Sequence, residues 1–548
     1  MLLRSVRIEN FRALRFANIH FDPTTVLIGE NDCGRSSVME AVAIALGWNS
    51  AEGAFHFQPF HVHRSAQVSP SEALSISIVL GFCESASGEW RSEGFEKLRS
   101  ALPGALAREP GFSLEVTHDC ESATHWTFQS GLEKLIDDRP MLKWLRQRMP
   151  VFWMAEGMLS GKGVDSGSAQ SQDSTGLEVE VNRHYRQLLE GTALNITTAI
   201  ERGSTAASQL LLARAQLQSA EGTPFGELLE EVTGKRKVRG RATSPELLRD
   251  HGTASHRLGL LLLTGALLHS GAGRLTQGMS PLTLIENPEA HLHPMTLASI
   301  WSVVDRIGGQ KIIATHSGTL LARARLSAVR RLTRHDGLVK EWRVPEGALG
   351  ADELRRYSYH LRSRRAAASF ARCWLLVEGE TEYWLMDELA RVCGYELASE
   401  GVTCVEFAQC GLSAVLKVAG YLGIEWHLLA DGDMAGQQYI ASARRFAEGS
   451  KGSDRFTLLE DPDVEHCLWR FGYEDVFRNA AWPGASAADA SWQRRAPAKK
   501  VIARAIQRYS KPWLAVLLLD AISDRGPEGV PPSLRTVIET CVRLARRS

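Results

Sequence analysis

Between residues 373 and 465, three short apolar runs each end in a pair of carboxylates, which limits what the chain can fold into more than any other feature. The first run, Trp374 to Val377, leads into Glu378-Gly379-Glu380-Thr381-Glu382. Four consecutive apolar residues read as a buried strand, Gly379 permits a sharp turn, and Glu380 to Val392 carries a helical pattern. Glu378 and Glu382 stand four apart, so one helical turn brings both carboxylates to one side. The second run, Trp426 to Ala430, ends in Asp431-Gly432-Asp433, a pair that an extended chain points to one face. The third, Phe456 to Leu459, precedes Asp463-Val464-Glu465. Open α/β sheets place their sites at the carboxyl ends of strands. Carboxylates gathered there with no base among them repel unless cations lie between, and hard divalent ions suit oxygen ligands.

Taken singly, each piece has an ordinary explanation. Val-Glu-Gly marks a strand entering a turn, and Asp-Gly-Asp is commonest in hairpins and loops. All three at the same end of successive strands, in one β-α-β-α-β run, are far harder to obtain by chance. This stretch resembles the Toprim domain of topoisomerases, primases and the OLD (overcoming lysogenization defect) nucleases. That family places a Glu after its first strand and Asp-x-Asp after a later one. The second Glu in Val-Glu-Gly-Glu-Thr-Glu, and Asp463-x-Glu465 followed by His466, look more like OLD nucleases than topoisomerases.

The beginning of the chain carries a second constellation. Strand patterns at Leu2 to Glu9 and Ala17 to Phe21 lead into Thr25 to Ile28. Gly29-Glu-Asn31-Asp-Cys-Gly34-Arg35-Ser36-Ser37 follows, then a helical stretch from Val38 to Leu46. Strand, glycine loop, helix is the context of a phosphate-binding loop. Its backbone N–H groups face the anion and Ser36 can ligate Mg²⁺. Arg35 stands where the GxxxxGK[ST] pattern has lysine; it keeps the charge but is larger, planar and forked. The opening Ile8-Glu-Asn-Phe-Arg12 resembles the start of ABC-type ATPases of the SMC, RecF and OLD group.

Further along, Gly252-Thr-Ala-Ser255-His256-Arg257 loosely resembles the ABC signature. Leu282-Thr-Leu-Ile285-Glu286 resembles a Walker B strand, with Glu286 holding Mg²⁺ through water. The family usually reads Glu-Glu-Pro or Glu-Asp-Pro here, so Asn287 replaces the acid that orients attacking water. His316, after the strand-like Lys311 to Ala314, matches the switch histidine. His291 and His293 lie in the loop after Walker B and read as structural. With Arg35 and Asn287 both departing from the pattern, the head is expected to bind ATP with Mg²⁺ but to hydrolyse it slowly or not at all.

The remaining segments join these halves. Val179 to Ala220 has long helical patterning, an insertion that mediates dimerisation in the OLD family and otherwise reads as a packing lobe. Lys235 to Arg241 is a basic run, either a solvated loop or a phosphate contact. Arg355 to Arg372 reads as an Arg-rich linker helix. After Glu465 the chain is helical, with Lys499-Lys500 and Ser510-Lys511-Pro512. Class 2 OLD nucleases carry a lysine in this region that assists cleavage; Lys511 matches best, with Lys499 or Lys500 the alternative.

The expected fold is therefore α/β, an ABC-type head with a helical insertion followed by a Toprim domain with terminal helices. The expected divisions are 1–160 for the first part of the head, 161–245 for the insertion and 246–350 for its second part. A linker helix at 351–370 and the Toprim domain at 371–548 complete it. The resemblance implies a metal-dependent DNA nuclease using two Mg²⁺ or Mn²⁺ ions. Glu378, Glu382, Asp431, Asp433, Asp463 and Glu465 would be ligands and Lys511 a catalytic partner. It implies ATP contacts from Gly29, Asn31, Gly34, Arg35, Ser36, Ser37, Glu286 and His316, and a homodimer, since ABC nucleotide sites are completed across two chains. A nucleotide-switched DNA-binding scaffold of RecF or SMC type, without cleavage, is the competing class. A topoisomerase or primase is disfavoured, because no tyrosine-bearing cleavage domain or zinc ribbon accompanies the acids.

Composition excludes other classes. A formal net charge of +0 leaves any DNA contact to local patches. Nine scattered cysteines without a CxxC pair suit a reducing cytoplasm rather than a disulfide scaffold or zinc site. The longest apolar run, Leu258 to Leu268, is too short to span a membrane, and MLLRSVRIEN lacks a signal segment. A further protein partner is left open.

Overall fold

A computed structural model describes residues 1–47, 55, 57–64, 75–106, 110–119, 124–154, 280–290, 301, 304–305, 309–359, 366–447, 455–483 and 495–547. The helical insertion, the basic run 235–241, the signature segment 252–257 and His291 and His293 lie outside these residues. The chain divides into two compact units, Met1–Trp342 and Arg343–Ser548.

In the first unit the elements run β1 (Leu2–Phe11), β2 (Leu14–His20), β3 (Thr24–Gly29), α1 (Arg35–Ala45), β4 (Ile76–Cys83), α2 (Glu96–Ala101) and β5 (Gly111–His118). Then come β6 (Thr124–Ser130), β7 (Glu133–Ile136), α3 (Arg139–Arg148), β8 (Val151–Met154), β9 (Leu282–Glu286), β10 (Gln310–Ala314), α4 (Gly318–Arg323), β11 (Val329–His335) and β12 (Leu338–Arg343). Among the described residues the strands form one sheet in the order β7-β6-β5-β4-β1-β2-β12-β11-β3-β10-β9-β8. Its two halves differ as their sequences do. β4 and β5 alternate buried and half-buried residues and pair antiparallel. β9 and β10 are buried at every position and pair parallel, as strands covered on both faces do. The parallel half holds β3, whose carboxyl end feeds the glycine loop and α1.

A buried cation fastens this sheet. Arg330 on β11 is 1% exposed and donates to Asp22 (2.6 Å) and to the carbonyls of Ser327 and His20, with Glu341 at 3.0 Å. With its donors shared among carboxylates and carbonyls, the charge is compensated where an unpaired one would be costly.

The second unit runs α5 (Ala351–Tyr357), β13 (Cys373–Val377), α6 (Glu380–Val392), β14 (Val402–Glu406), α7 (Leu412–Leu422), β15 (Glu425–Ala430), α8 (Met434–Ala443) and β16 (Phe456–Leu458). Five further helices are α9 (Val464–Leu468), α10 (Glu474–Ala481), α11 (Ala498–Tyr509), α12 (Lys511–Arg525) and α13 (Pro532–Arg547). Its sheet is parallel, in the order β14-β13-β15-β16. Parallel neighbours need a crossover, and the helical stretches between the apolar runs supply it. Of the linker helix expected over Arg355 to Arg372, residues 360–365 lie outside the described residues. α5 ends at Tyr357 with helical turn continuing through residues 358–359, a 3₁₀ helix covers Ala366–Phe370, and the Arg372 N–H donates to the Gly401 carbonyl (2.8 Å). The indole of buried Trp374 donates to the Ala368 carbonyl (2.8 Å). No helix among the described residues is long and apolar enough to cross a membrane.

Candidate metal and nucleotide sites

The register of the second sheet levels the carboxyl ends of its strands. Leu376 of β13 lies beside Leu428 of β15, and Ala430 beside Leu458 of β16. Glu378 and Asp431 are the first residues beyond β13 and β15, and Asp463 and Glu465 follow β16. Two glycines bring the connecting loops together. An added Cβ on Gly432 would overlap the carbonyls of Asp461 and Leu459, and one on Gly436 would overlap the Asp431 carbonyl.

Three acids also serve as helix caps. Glu382 accepts the Gly379 N–H at the start of α6 (3.1 Å), Asp433 accepts Gly436 N–H of α8 (2.8 Å), and Asp463 accepts His466 N–H of α9 (2.7 Å). Helix amino ends carry unpaired N–H groups and partial positive charge, so they tolerate carboxylates that repel one another elsewhere. Glu378, Asp431 and Glu465 have no cap to fill. One oxygen each of Glu378 and Glu465 is buried without a hydrogen-bond partner, although Glu465 is only 1% exposed.

Mutual repulsion is visible in the proton affinities. Burial, then Glu382, Glu378, Asp463 and Glu465, push Asp431 up to about 8. Burial raises Glu378 and Asp433 adds to it, while burial raises Glu382 and Glu465 adds to it. Asp431 thus feels Glu382, Glu378, Asp463 and Glu465, while Asp433 acts on Glu378. Lys511 acts on both Glu378 and Glu382, and its ammonium lies 3.3 Å from Glu465. Burial pulls the Lys511 pKa down, but Glu465, Glu382 and Asp463 outweigh that and hold it above the ordinary value. Ser510, at φ 65°, forms the corner that places Lys511 at the amino end of α12. Lys499 and Lys500 lie on α11 and have no contact with the carboxylates among the described residues.

As placed, no three carboxylate, imidazole or thiol groups among the described residues come close enough together to hold a metal ion. The donor set nevertheless suits a hard cation, being all oxygen, with orphaned buried oxygens and raised proton affinities that a cation would relieve.

Three neighbours were given no role in the site by the sequence reading. Thr381 donates to Glu465 (3.4 Å), and His466 Nδ1 lies 2.6 Å from Asp463 Oδ1; both sit inside the acidic motifs and were legible as such. Tyr439 left no signal. Its ring packs edge-on against Phe407 (5.0 Å), whose N–H bonds the Val377 carbonyl (3.0 Å) beside Glu378. Burial, Glu378 and Asp433 raise its pKa.

In the first unit the glycine loop leaves β3 through Gly29 and enters α1 through Gly34, at φ 97°. No side chain caps α1 and no acid occupies its first turn, so the N–H groups around Ser36 and Ser37 suit a phosphate. Asn31 and Ser36 are exposed, whereas Arg35 is buried. Arg35 donates to the Thr315 carbonyl (2.8 Å) and faces the His316 ring, with Nδ1 at 3.0 Å. It ties the loop to the end of β10. Glu286 ends β9 and is buried. Asn287 adopts φ 44°, a left-handed conformation that asparagine accepts more readily than glutamate. Arg12 pairs with Glu40 of α1, and His61 lies 3.3 Å from the same carboxylate. Burial and Arg12 push His61 down to about 4, so its ring is neutral and its Nδ1 accepts the Gln58 N–H (2.9 Å). The Arg12 of the Ile8-Glu-Asn-Phe-Arg12 stretch thereby fastens the β1–β2 turn to the phosphate-loop helix.

Residues 1–368 match the model of the family described as "Protein of unknown function (DUF2813)". Residues 370–433 match that of the "Overcoming lysogenization defect protein-like, TOPRIM domain". That second match contains Glu378, Glu382, Asp431 and Asp433; Asp463, Glu465 and Lys511 lie beyond it. The chain is 31% identical over 566 residues to the "Uncharacterized protein YbjD" of Escherichia coli (strain K12), covering 100% of this chain and 99% of the relative. Among solved structures it is similar to the C-terminal region of the Xanthomonas campestris pv. campestris OLD protein, at 17% identity over 32% of this chain and 95% of that one, TM-score 0.28. The C-terminal region of the Burkholderia pseudomallei OLD protein is similar at 21% identity over 32% of this chain and 98% of that one, TM-score 0.27. The SMC head domain from Thermotoga maritima is similar at 14% identity over 63% of this chain and 99% of that one, TM-score 0.33. The chain belongs to the DUF2813 family, and its residues 370–433 match an OLD-like Toprim domain.

Proposed function

We propose that this protein is a metal-dependent DNA endonuclease whose ABC-type head binds ATP and regulates cleavage. The observation that carries the reading is the carboxylate cluster around Asp431, with its orphaned oxygens and an adjoining lysine. Keeping such acids together without a cation is costly, so a purely architectural role gives no reason for them. Glu378 with Asp433 and Glu382 with Glu465 would hold two divalent ions, Mg²⁺ or Mn²⁺, with Asp431 facing both and Asp463 beside them. Bound there, such ions supply an activated water and neutralise charge on the leaving oxygen. The chain's own contribution is orientation and electrostatics. Lys511, held by Glu465, offers positive charge to a scissile phosphate, and Thr381 fixes Glu465 from the other side. In the head, the α1 amino end, Ser36 and Glu286 are proposed to take ATP with Mg²⁺. The protein is proposed to work as a cytoplasmic homodimer, two copies completing the nucleotide sites.

The test is cleavage of supercoiled plasmid with Mg²⁺ or Mn²⁺, with and without ATP, beside Asp431→Ala. Nicking that requires metal and drops at least a hundredfold in the variant is expected. Intact plasmid under every metal would leave the DNA-binding scaffold as the better reading.

A further inference from the structure

We propose that the exposed face of α11 is a track for the DNA backbone leading into the carboxylate site. This inference rests on the nuclease reading above and adds where the substrate is held.

From 495 to 511 the chain contains Arg495, Lys499, Lys500, Arg504, Arg508 and Lys511, and no Asp or Glu. α11 sorts them by face. Val501, Ile502 and Ala505 are buried, whereas Lys499, Lys500, Arg504 and Arg508 are exposed. Lys500, Arg504 and Arg508 recur every four residues, a row about 12 Å long at 1.5 Å per residue. Several exposed cations elsewhere on this unit are matched, although Arg444, Arg445 and Arg525 have no acid partner among the described residues. Arg391 meets Glu388, Asp387 and Glu396; Arg470 meets Glu460 and Asp461; Arg546 meets Glu400; Arg355 and Arg356 meet Asp352. Among the described residues, no acid pairs with Lys499, Lys500, Arg504 or Arg508. Arg504 is preset, its guanidinium lying 5.4 Å over the Trp482 ring and its Nε donating to the Ala481 carbonyl (3.2 Å).

The row also has a destination. α11 ends at Tyr509, Ser510 at φ 65° turns the chain into α12, and the next residue, Lys511, reaches Glu465. A cluster of carboxylates repels DNA, and the adjoining cations supply the attraction that a chain of zero net charge cannot supply globally. Charged donors without exposed aromatic rings between them fit phosphates rather than bases, so the track positions DNA without reading sequence.

The experiment uses the full chain carrying Asp431→Asn, so that DNA is not cut, and a fluorescent duplex of mixed sequence. Anisotropy across a salt series compares it with the same chain also carrying Lys499→Ala, Lys500→Ala and Arg508→Ala. Alanine suits exposed helical positions, and a Gln version of the three changes guards against a folding defect. Affinity is expected to fall at least tenfold at about 100 mM salt, and the slope of log K against log salt to become shallower by about 2.7, near 0.9 per lost phosphate contact. Arg355→Ala with Arg356→Ala should change neither. Unaltered affinity and slope in both triple variants, with the parent binding and wild type cleaving plasmid, overturns the track alone. A parent that binds no duplex, with wild type cleaving nothing, overturns the nuclease reading and the track with it.

Discussion

At the residue scale, Asp431 decides most. Its pKa is raised from 3.8 to about 8 because burial and four other carboxylates oppose its charge. The unfolded chain ionises this group near 3.8 while the folded chain keeps it protonated, so stability is lost as pH rises from about 4 towards 8. In EDTA, Asp431→Asn is therefore expected to raise the melting temperature at pH 8 and to leave it nearly unchanged at pH 4.5. The gain should be about 1–2 kcal/mol once solvent screening of this half-buried group is allowed for. Equal shifts at both pH values in thermal melts would show that repulsion is not what Asp431 contributes. That these acids stand at the ends of neighbouring strands was legible from the apolar runs before them. Which of them would be relaxed by caps and which left exposed to repulsion was not, because capping depends on where each helix begins.

At the element scale, turns decide how closely the carboxylates approach. Gly436 lies inside α8, where alanine ordinarily stabilises a helix by up to about 1 kcal/mol. Here the added Cβ would overlap the Asp431 carbonyl, which reverses the sign. Gly436→Ala is expected to lose about 1–3 kcal/mol in denaturant titrations and to lower plasmid cleavage by displacing Asp431. Gly420→Ala on α7, whose Cβ would meet nothing, is the control expected to stabilise; similar outcomes for both would remove the steric account. The strands of the second sheet were read within a residue or two because parallel strands, buried on both faces, are continuously apolar, whereas β5, β6, β7, β11 and β12 of the first sheet were not read.

At the scale of the whole molecule, charge and catalytic chemistry are partitioned. The formal net charge is +0, yet one unit gathers the carboxylates beside a basic helix and the other carries the phosphate loop. The head has an arginine engaged by Thr315 and His316 where a lysine would reach phosphate, and an asparagine in place of an acid. ATP turnover is accordingly expected to be slow, below about 1 per minute against the typical enzyme range, when followed by phosphate release. A rate in the ordinary range that Glu286→Gln abolishes would show that neither substitution matters.

The sequence by itself determined the two-part plan, the strands of the second sheet, the glycine loop before α1 and the placing of the acids at strand ends, because these follow from apolar runs, glycine placement and short spacings. Only the tertiary structure decided that Arg35 is bonded to the end of β10, that Tyr439 packs on Phe407, and that Lys511 reaches Glu465. Those relations join residues tens to hundreds of positions apart, and packing, not local pattern, determines which of them meet.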